Sequence, residues 1–274
     1  MIKLIEEPAE LAVLETFPAD NVFAGKLRAL YRTYGYGSSS AGYAFRGDFT
    51  DLCRFYKQDD NLFMAQIGQD FSIYSEETLL PEEQAEELAL YLKVSRARGV
   101  FLPYPILRGI VPYIDGEYLY NNVMEYKDFA DVMENPYHKK EYVPSPRLDM
   151  SPGLDKVYAI LKDGFRLEHS PWLTDVSHRV RHGISKVFLY DEASTVTAFY
   201  DICGNIFLTQ VATEMSRRKE GLATAMLREA CKLYKSRGRR IFLICRDTKR
   251  GFYIRAGFRK IDEAAQVYRL ELDD

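Results

Sequence analysis

Apolar residues in this chain alternate between two patterns: stripes repeating every three to four positions, and short unbroken β-branched or aromatic runs. That alternation predicts an α+β protein. The first twenty residues, with Pro8 and Pro18, hold at most a short helix. Asn21 caps a helix whose inward positions are Val22, Phe23, Leu27, Leu30 and Tyr31, ending near Gly35. A loop at 36–40 leads to strand-like runs at 43–45, 52–56, 62–67 and 71–74. Pro81 then opens a helix with Glu82, Glu83, Glu86 and Glu87 first, Leu88, Leu92 and Val94 along it, and Arg96 and Arg98 before Gly99. Acids first and bases last is the charge order a helix dipole favours.

The second half reads more sharply. A helix at 154–161 stops at Gly164, and another at 171–182 stops at Gly183. Strands at 186–190 and 195–202 flank the turn-forming Asp191-Glu192-Ala193-Ser194. Ile206, Phe207, Leu208 and Val211 form a buried strand, which breaks into the basic loop Ser216-Arg217-Arg218-Lys219-Glu220-Gly221. A helix follows with Leu222, Met226, Ala230 and Leu233 on one face, then a strand at 239–243, a short helix around 251–255 and a last strand at 266–272. Pro136, Pro144, Pro146 and Pro152 mark a linker at 136–150 between an N-terminal α+β domain, 1–135, and a second domain, 151–274.

Composition adds boundaries. An apolar content of 47% can build two cores, and no apolar run approaches the ~20 residues of a membrane helix. The N-terminus carries acids early and lacks the apolar stretch of a signal peptide, so a cytoplasmic protein is expected. Cys53, Cys203, Cys231 and Cys245 are scattered without a CxxC pair, as in reduced thiols. From Ser151 onward 22 Lys and Arg face 16 Asp and Glu, a balance of +6, leaving −9 for the first 150 residues. The excess of base gathers around one loop and its helix, which argues against nucleic acid and for a small anion.

A strand feeding a basic, glycine-containing loop at a helix N-terminus suits an anion, because the first amides of the helix lack partners and the dipole favours negative charge. No GK[ST] or GxGxxG stands here. The pattern Arg218-x-x-Gly221-x-Ala223 resembles the pyrophosphate loop of the GNAT superfamily of N-acetyltransferases. Phe252-Tyr253-Ile254-Arg255-Ala256-Gly257-Phe258, about thirty residues on, is similar to the family's FYxxxGF segment. The resemblance covers 151–274. It implies the GNAT fold, a mixed and mostly antiparallel sheet flanked by helices, with acetyl-CoA as co-substrate. It also implies that the backbone of Val211, Ala212 and Thr213 holds the pantetheine arm. Arg217, Arg218, Lys219, Glu220, Gly221, Leu222, Ala223 and Thr224 are then expected around the pyrophosphate.

For catalysis the resemblance implies that the Val211 N–H polarises the thioester carbonyl and that Tyr253 is the general acid. The central strand offers Thr209, Gln210 and Thr213 where many relatives carry Glu. Asp201 and Glu214 are the candidate bases, beside a water chain or attack by an already neutral amine. Arg246 and Lys249 also depart from the family's Asn and Ala. His178 and His182 have the spacing of a metal pair but no acidic or thiol neighbour in sequence, and no metal is expected. The implied function is acetyl transfer to the primary amine of a small molecule or peptide by direct attack in a ternary complex, by a monomer or homodimer. A non-catalytic acyl-CoA-binding or regulatory protein is the other reading. The first half repeats the order of strands, long helix, basic-Gly end and strand. This suggests a degenerate second GNAT-like copy, with an unrelated α+β domain as the alternative.

Overall fold

The computed structural model describes residues 1–35, 53–127, 145–165 and 167–268. The expected loop at 36–40, the strand at 43–45 and most of the linker at 136–150 lie outside these. The chain divides into two compact units, Met1–Asn122 with Asp262–Asp274, and Val123–Ile261. The division therefore falls inside two strands, not in the proline-rich stretch. Strand hydrogen bonding outweighs the compositional signal.

The first unit contains β1 (Ile2–Leu4), α1 (Pro8–Leu11), α2 (Val22–Tyr34), β2 (Arg54–Gln58), β3 (Leu62–Ile67), β4 (Asp70–Ser75), α3 (Glu82–Val94), β5 (Gly99–Pro103) and α4 (Tyr104–Ile110). It also holds the first part of β6 (Glu117–Tyr126). Asn21 caps α2, its Oδ1 accepting from the amides of Phe23 at 2.9 Å and Ala24 at 3.2 Å. The strands β1 to β4 run antiparallel, while β4 and β5 are parallel and pair only from Asp70↔Gly99 to Ser72↔Phe101. A parallel pair needs a crossover, which α3 supplies with Ala85, Leu88, Ala89 and Leu92 buried.

The second unit begins with the end of β6 and continues through β7 (Leu148–Asp149), α5 (Leu154–Leu161), α6 (His169–Arg181), β8 (Lys186–Tyr190), β9 (Ser194–Ile202) and β10 (Asn205–Thr213). It closes with α7 (Leu222–Ser236), β11 (Arg240–Arg246), α8 (Asp247–Arg255) and the start of β12 (Phe258–Tyr268). Here β7 to β10 are antiparallel, β10 and β11 are parallel with α7 as crossover, and β6 is the other neighbour of β11. Both units thus repeat one order: helix, three antiparallel strands, crossover helix, parallel strand, helix, strand. That repeated order of elements matches the one read along the sequence.

Side chains alternate across the second unit's sheet, so each face has its own cover. Leu222, Met226, Ala230 and Leu233 of α7, the face read from the sequence, pack with Phe188, Val196 and Ile206. On the other face Val157 and Leu161 of α5 and Trp172 and Val176 of α6 pack with Val187. The helix α6 is anchored by Arg179, only 2% exposed, whose guanidinium donates to Asp175 at 3.0 and 3.1 Å and to Ser185 Oγ at 2.5 Å.

Two elements start earlier than the sequence pattern indicated. The helix α8 begins at Asp247, and β12 begins at Phe258 although residues 259–263 are exposed and give no alternation. No helix among the described residues is long and apolar enough to cross a membrane.

Candidate active site

The ladder between β10 and β11 runs from Asn205↔Arg240 to Leu208↔Leu243 and then stops. The last five residues of β10, Thr209 to Thr213, thus have backbone without a partner on β11. On the opposite edge, the pairing with β9 skips from Thr209↔Thr197 to Ala212↔Thr195. Gln210 and Val211 therefore form a bulge, and Gln210 sits at φ +53°. Beyond the bulge Val211 packs on the α7 side and Ala212 on the α5–α6 side. Thr213 is held by Ser194, whose Oγ lies 2.9 Å from Thr213 Oγ1 and donates to the Ala212 carbonyl at 3.0 Å.

The loop after β10 delivers the chain to α7 in an unusual conformation. Lys219 has φ +70°, and Gly221, the N-cap of α7, lies in the left-handed region at φ +82°. A Cβ at Gly221 would meet nothing within 4 Å, so the surface over this turn is open. Among the described residues, the amides of Lys219, Glu220, Gly221, Leu222, Ala223 and Thr224 donate to no carbonyl, and no side chain caps the helix. Bare amides at the positive end of a fifteen-residue helix suit a pyrophosphate. The three cations differ in availability. Arg217 is committed to Glu220 at 2.7 Å and Asp191 at 3.2 Å. Arg218 donates from Nε to the Thr213 carbonyl at 3.2 Å, and Lys219 is exposed without an ion pair among the described residues.

Tyr253 lies on α8, half-buried against the α7-side core, its ring 4.9 Å from Phe252 and 5.9 Å from Phe258. Its hydroxyl has no hydrogen-bond partner among the described residues, and burial, helped by Cys245, pushes its pKa above the ordinary tyrosine value. Burial also raises the Cys245 thiol, to about 11. Cys245 stands on β11 past the last residue paired with β10.

Asp201 is not brought to this region. It pairs opposite Ile206, five residues and about 16 Å along the strand from Val211, and contacts Arg239 at 3.3 Å. Burial raises its carboxyl pKa against the pull of Arg239, Arg237 and Lys186. Asp201→Asn is expected to leave turnover at this site within about twofold of wild type, because distance separates it from the Val211 segment. A loss of a hundredfold in steady-state assays would restore it as the base. Glu214 follows β10 and is exposed, its amide donating to the Ala193 carbonyl at 2.8 Å. The rings of His178 and His182 are 4.4 Å apart, but no third His, Cys, Asp or Glu joins them among the described residues.

No family model matches the sequence, and no curated protein matches it. Solved structures do resemble the fold. A GCN5-related N-acetyltransferase from Sphaerobacter thermophilus superposes with a TM-score of 0.60 at 14% identity over 98% of this chain and 95% of its own. A GNAT-family acetyltransferase from Colwellia psychrerythraea gives 0.55 at 11% identity over 99% and 100%. A Drosophila protein gives 0.62 at 12% identity over 98% of each chain. The chain has the GNAT fold. In this GNAT fold the diverging strands, the bulge and the bare end of α7 all belong to the second unit. The matching position in the first unit differs. There α3 has Pro81 at its N-cap, Glu82 and Glu83 in its first turn and no glycine at its entry.

Two features of the site escaped the sequence. One is the bulge at Gln210, since a positive φ on a non-glycine residue leaves no signature. The other is a link from α6: Trp172 Nε1 donates to Gln210 Oε1 at 3.4 Å, and Thr197 Oγ1 donates to the same oxygen at 3.1 Å. The single tryptophan of the chain was the available hint.

Proposed function

We propose that the protein is an acetyl-CoA-dependent N-acetyltransferase that acetylates a primary amine of a small molecule or peptide in a ternary complex. The observation that carries this reading is the divergence of β10 from β11 beside the unpartnered amides of α7. Acetyl-CoA supplies an acyl group already activated as a thioester. Amides 219–224 with Arg218 and Lys219 would hold its pyrophosphate; charge-assisted contacts of this kind contribute roughly 1.5–3 kcal/mol each. Arg217, tied to Asp191 and Glu220, shapes the loop instead of offering free charge. The Val211 amide, carried on the bulge, polarises the carbonyl, and the Tyr253 hydroxyl donates to the departing sulfur.

Direct attack is favoured over an acyl-enzyme because burial keeps Cys245 protonated at neutral pH, a poor nucleophile. No carboxylate lies within the Thr209–Thr213 segment, and Glu214 faces solvent. The amine therefore arrives neutral and sheds its second proton to water, with Glu214 as the nearest relay in sequence.

The test is release of free CoA thiol from acetyl-CoA over a panel of amines, with kcat/KM followed against pH. The expected log kcat/KM rises with unit slope to the acceptor's own pKa, about 8 for an α-amine. Tyr253 adds no falling limb below pH 10, since its raised pKa keeps the phenol protonated. A plateau already reached near pH 6 would reveal a base on the protein. Tight acetyl-CoA binding without turnover on any amine would favour a non-catalytic acyl-CoA-binding protein.

A further inference from the structure

The side-chain amide of Gln210 is held in one sense. An indole N–H can only donate, so the atom facing Trp172 must be the amide oxygen, and Thr197 donates to that same oxygen. The NH2 group is thereby turned away from both, and it has no partner among the described residues. Both donors are fixed. Thr197 is fully buried, and Trp172 is 6% exposed, packed with Val176 and Val187 under the α5–α6 cover. The backbone that carries Gln210 sits in the left-handed region within the bulge, a conformation that strains a non-glycine residue. A glycine would relieve that strain, so the side chain is what the position offers. It presents two N–H donors and no negative charge beside the end of β10, where Thr209, Gln210 and Thr213 provide no carboxylate.

We infer that Gln210 is an acceptor-binding residue, and that the acceptor carries a carbonyl or carboxylate oxygen close to its amine, as an amino acid, amino amide or peptide N-terminus does. The inference rests on the acetyltransferase reading and names its substrate class. A neutral donor gives a polyamine nothing to bind, whereas it pairs directly with an oxygen near the reacting nitrogen. Trp172 and Thr197 act through Gln210 as positioning residues, linking α6 to the bulge that bears the Val211 amide.

Gln210→Glu separates the possibilities, because a carboxylate still accepts from Trp172 and Thr197 but replaces the outward donor with an acceptor. Wild type and variant are assayed for CoA release with amino acids, their amides and dipeptides as one class and with putrescine and spermidine as the other. Acetyl-CoA affinity is measured in parallel. Expected in wild type is a preference for the oxygen-bearing class. In Gln210→Glu, kcat/KM for that class should fall about ten- to hundredfold, the effect of losing one hydrogen bond to a polar or charged group, with acetyl-CoA affinity unchanged. Trp172→Phe keeps an aromatic side chain but removes the indole N–H and lets the amide turn over, so it should give a smaller fall in the same class. Turnover confined to polyamines, or an equal effect of Gln210→Glu on both classes, would overturn this inference alone. No CoA release from any acceptor would overturn the enzymatic reading and the inference with it.

Discussion

Gly221→Glu should lose acetyl-CoA binding by a hundredfold or more while keeping the fold. Gly221 occupies φ +82° at the N-cap of α7, where any other residue is strained by about 1–2 kcal/mol. Space is not the obstacle, as a Cβ there meets nothing within 4 Å. The larger effect is electrostatic. A carboxylate brought to about 4 Å from a phosphate repels it by roughly 1 kcal/mol in water and about 4 kcal/mol in a partly shielded site. Gly221→Ala carries the strain without the charge and should lose less than about tenfold in affinity. Circular dichroism confirms folding, and equilibrium titration gives the dissociation constants. A folded Gly221→Glu protein with wild-type affinity would remove this loop from the site.

Tyr253→Phe is expected to lower kcat by about ten- to hundredfold with little change in acetyl-CoA affinity. The ring contacts with Phe252 and Phe258 survive the change, and the hydroxyl leaves no partner behind among the described residues, so stability should hold. A general acid is typically worth ~10²–10⁴-fold, but its strength matters. Burial raises the Tyr253 pKa, making it a weaker acid than the ordinary phenol. A thiol leaving group has a pKa of about 8.5 and leaves readily. Both considerations place the effect at the lower end, with Tyr253 donating a hydrogen bond as charge develops on sulfur. The measurement is kcat at saturating substrates, in a step shown to be chemically limited. An unchanged kcat there would exclude Tyr253 from the mechanism.

The second unit was legible in the sequence because its apolar signals are local. The run from Ile206 to Leu208, the glycine at the entry to α7 and the stripe Leu222, Met226, Ala230, Leu233 each declare themselves within a few residues. The strand β6 did not, since it carries Asn121, Asn122 and Glu125 at buried positions, where pattern reading expects apolar side chains. Glu125 is kept there by Lys127 at 2.8 Å and Arg240 at 3.1 Å, a partner 115 residues away. Long-range pairing likewise hid the state of Arg217. Its charge is plain in the sequence, but Asp191, 26 residues upstream, is what it faces. The same holds for Gln210, oriented by a tryptophan 38 residues earlier. Cutting the chain at 150/151 would strip β11 of its neighbour β6, so the cofactor site is tested in the intact chain.

Titration calorimetry of acetyl-CoA into the intact protein bears most directly on the central claim. One site per chain is predicted: α7 offers bare amides and Gly221, whereas α3 has Pro81 at its N-cap and Glu82 and Glu83 in its first turn. Two sites per chain, or no binding at all, would contradict it.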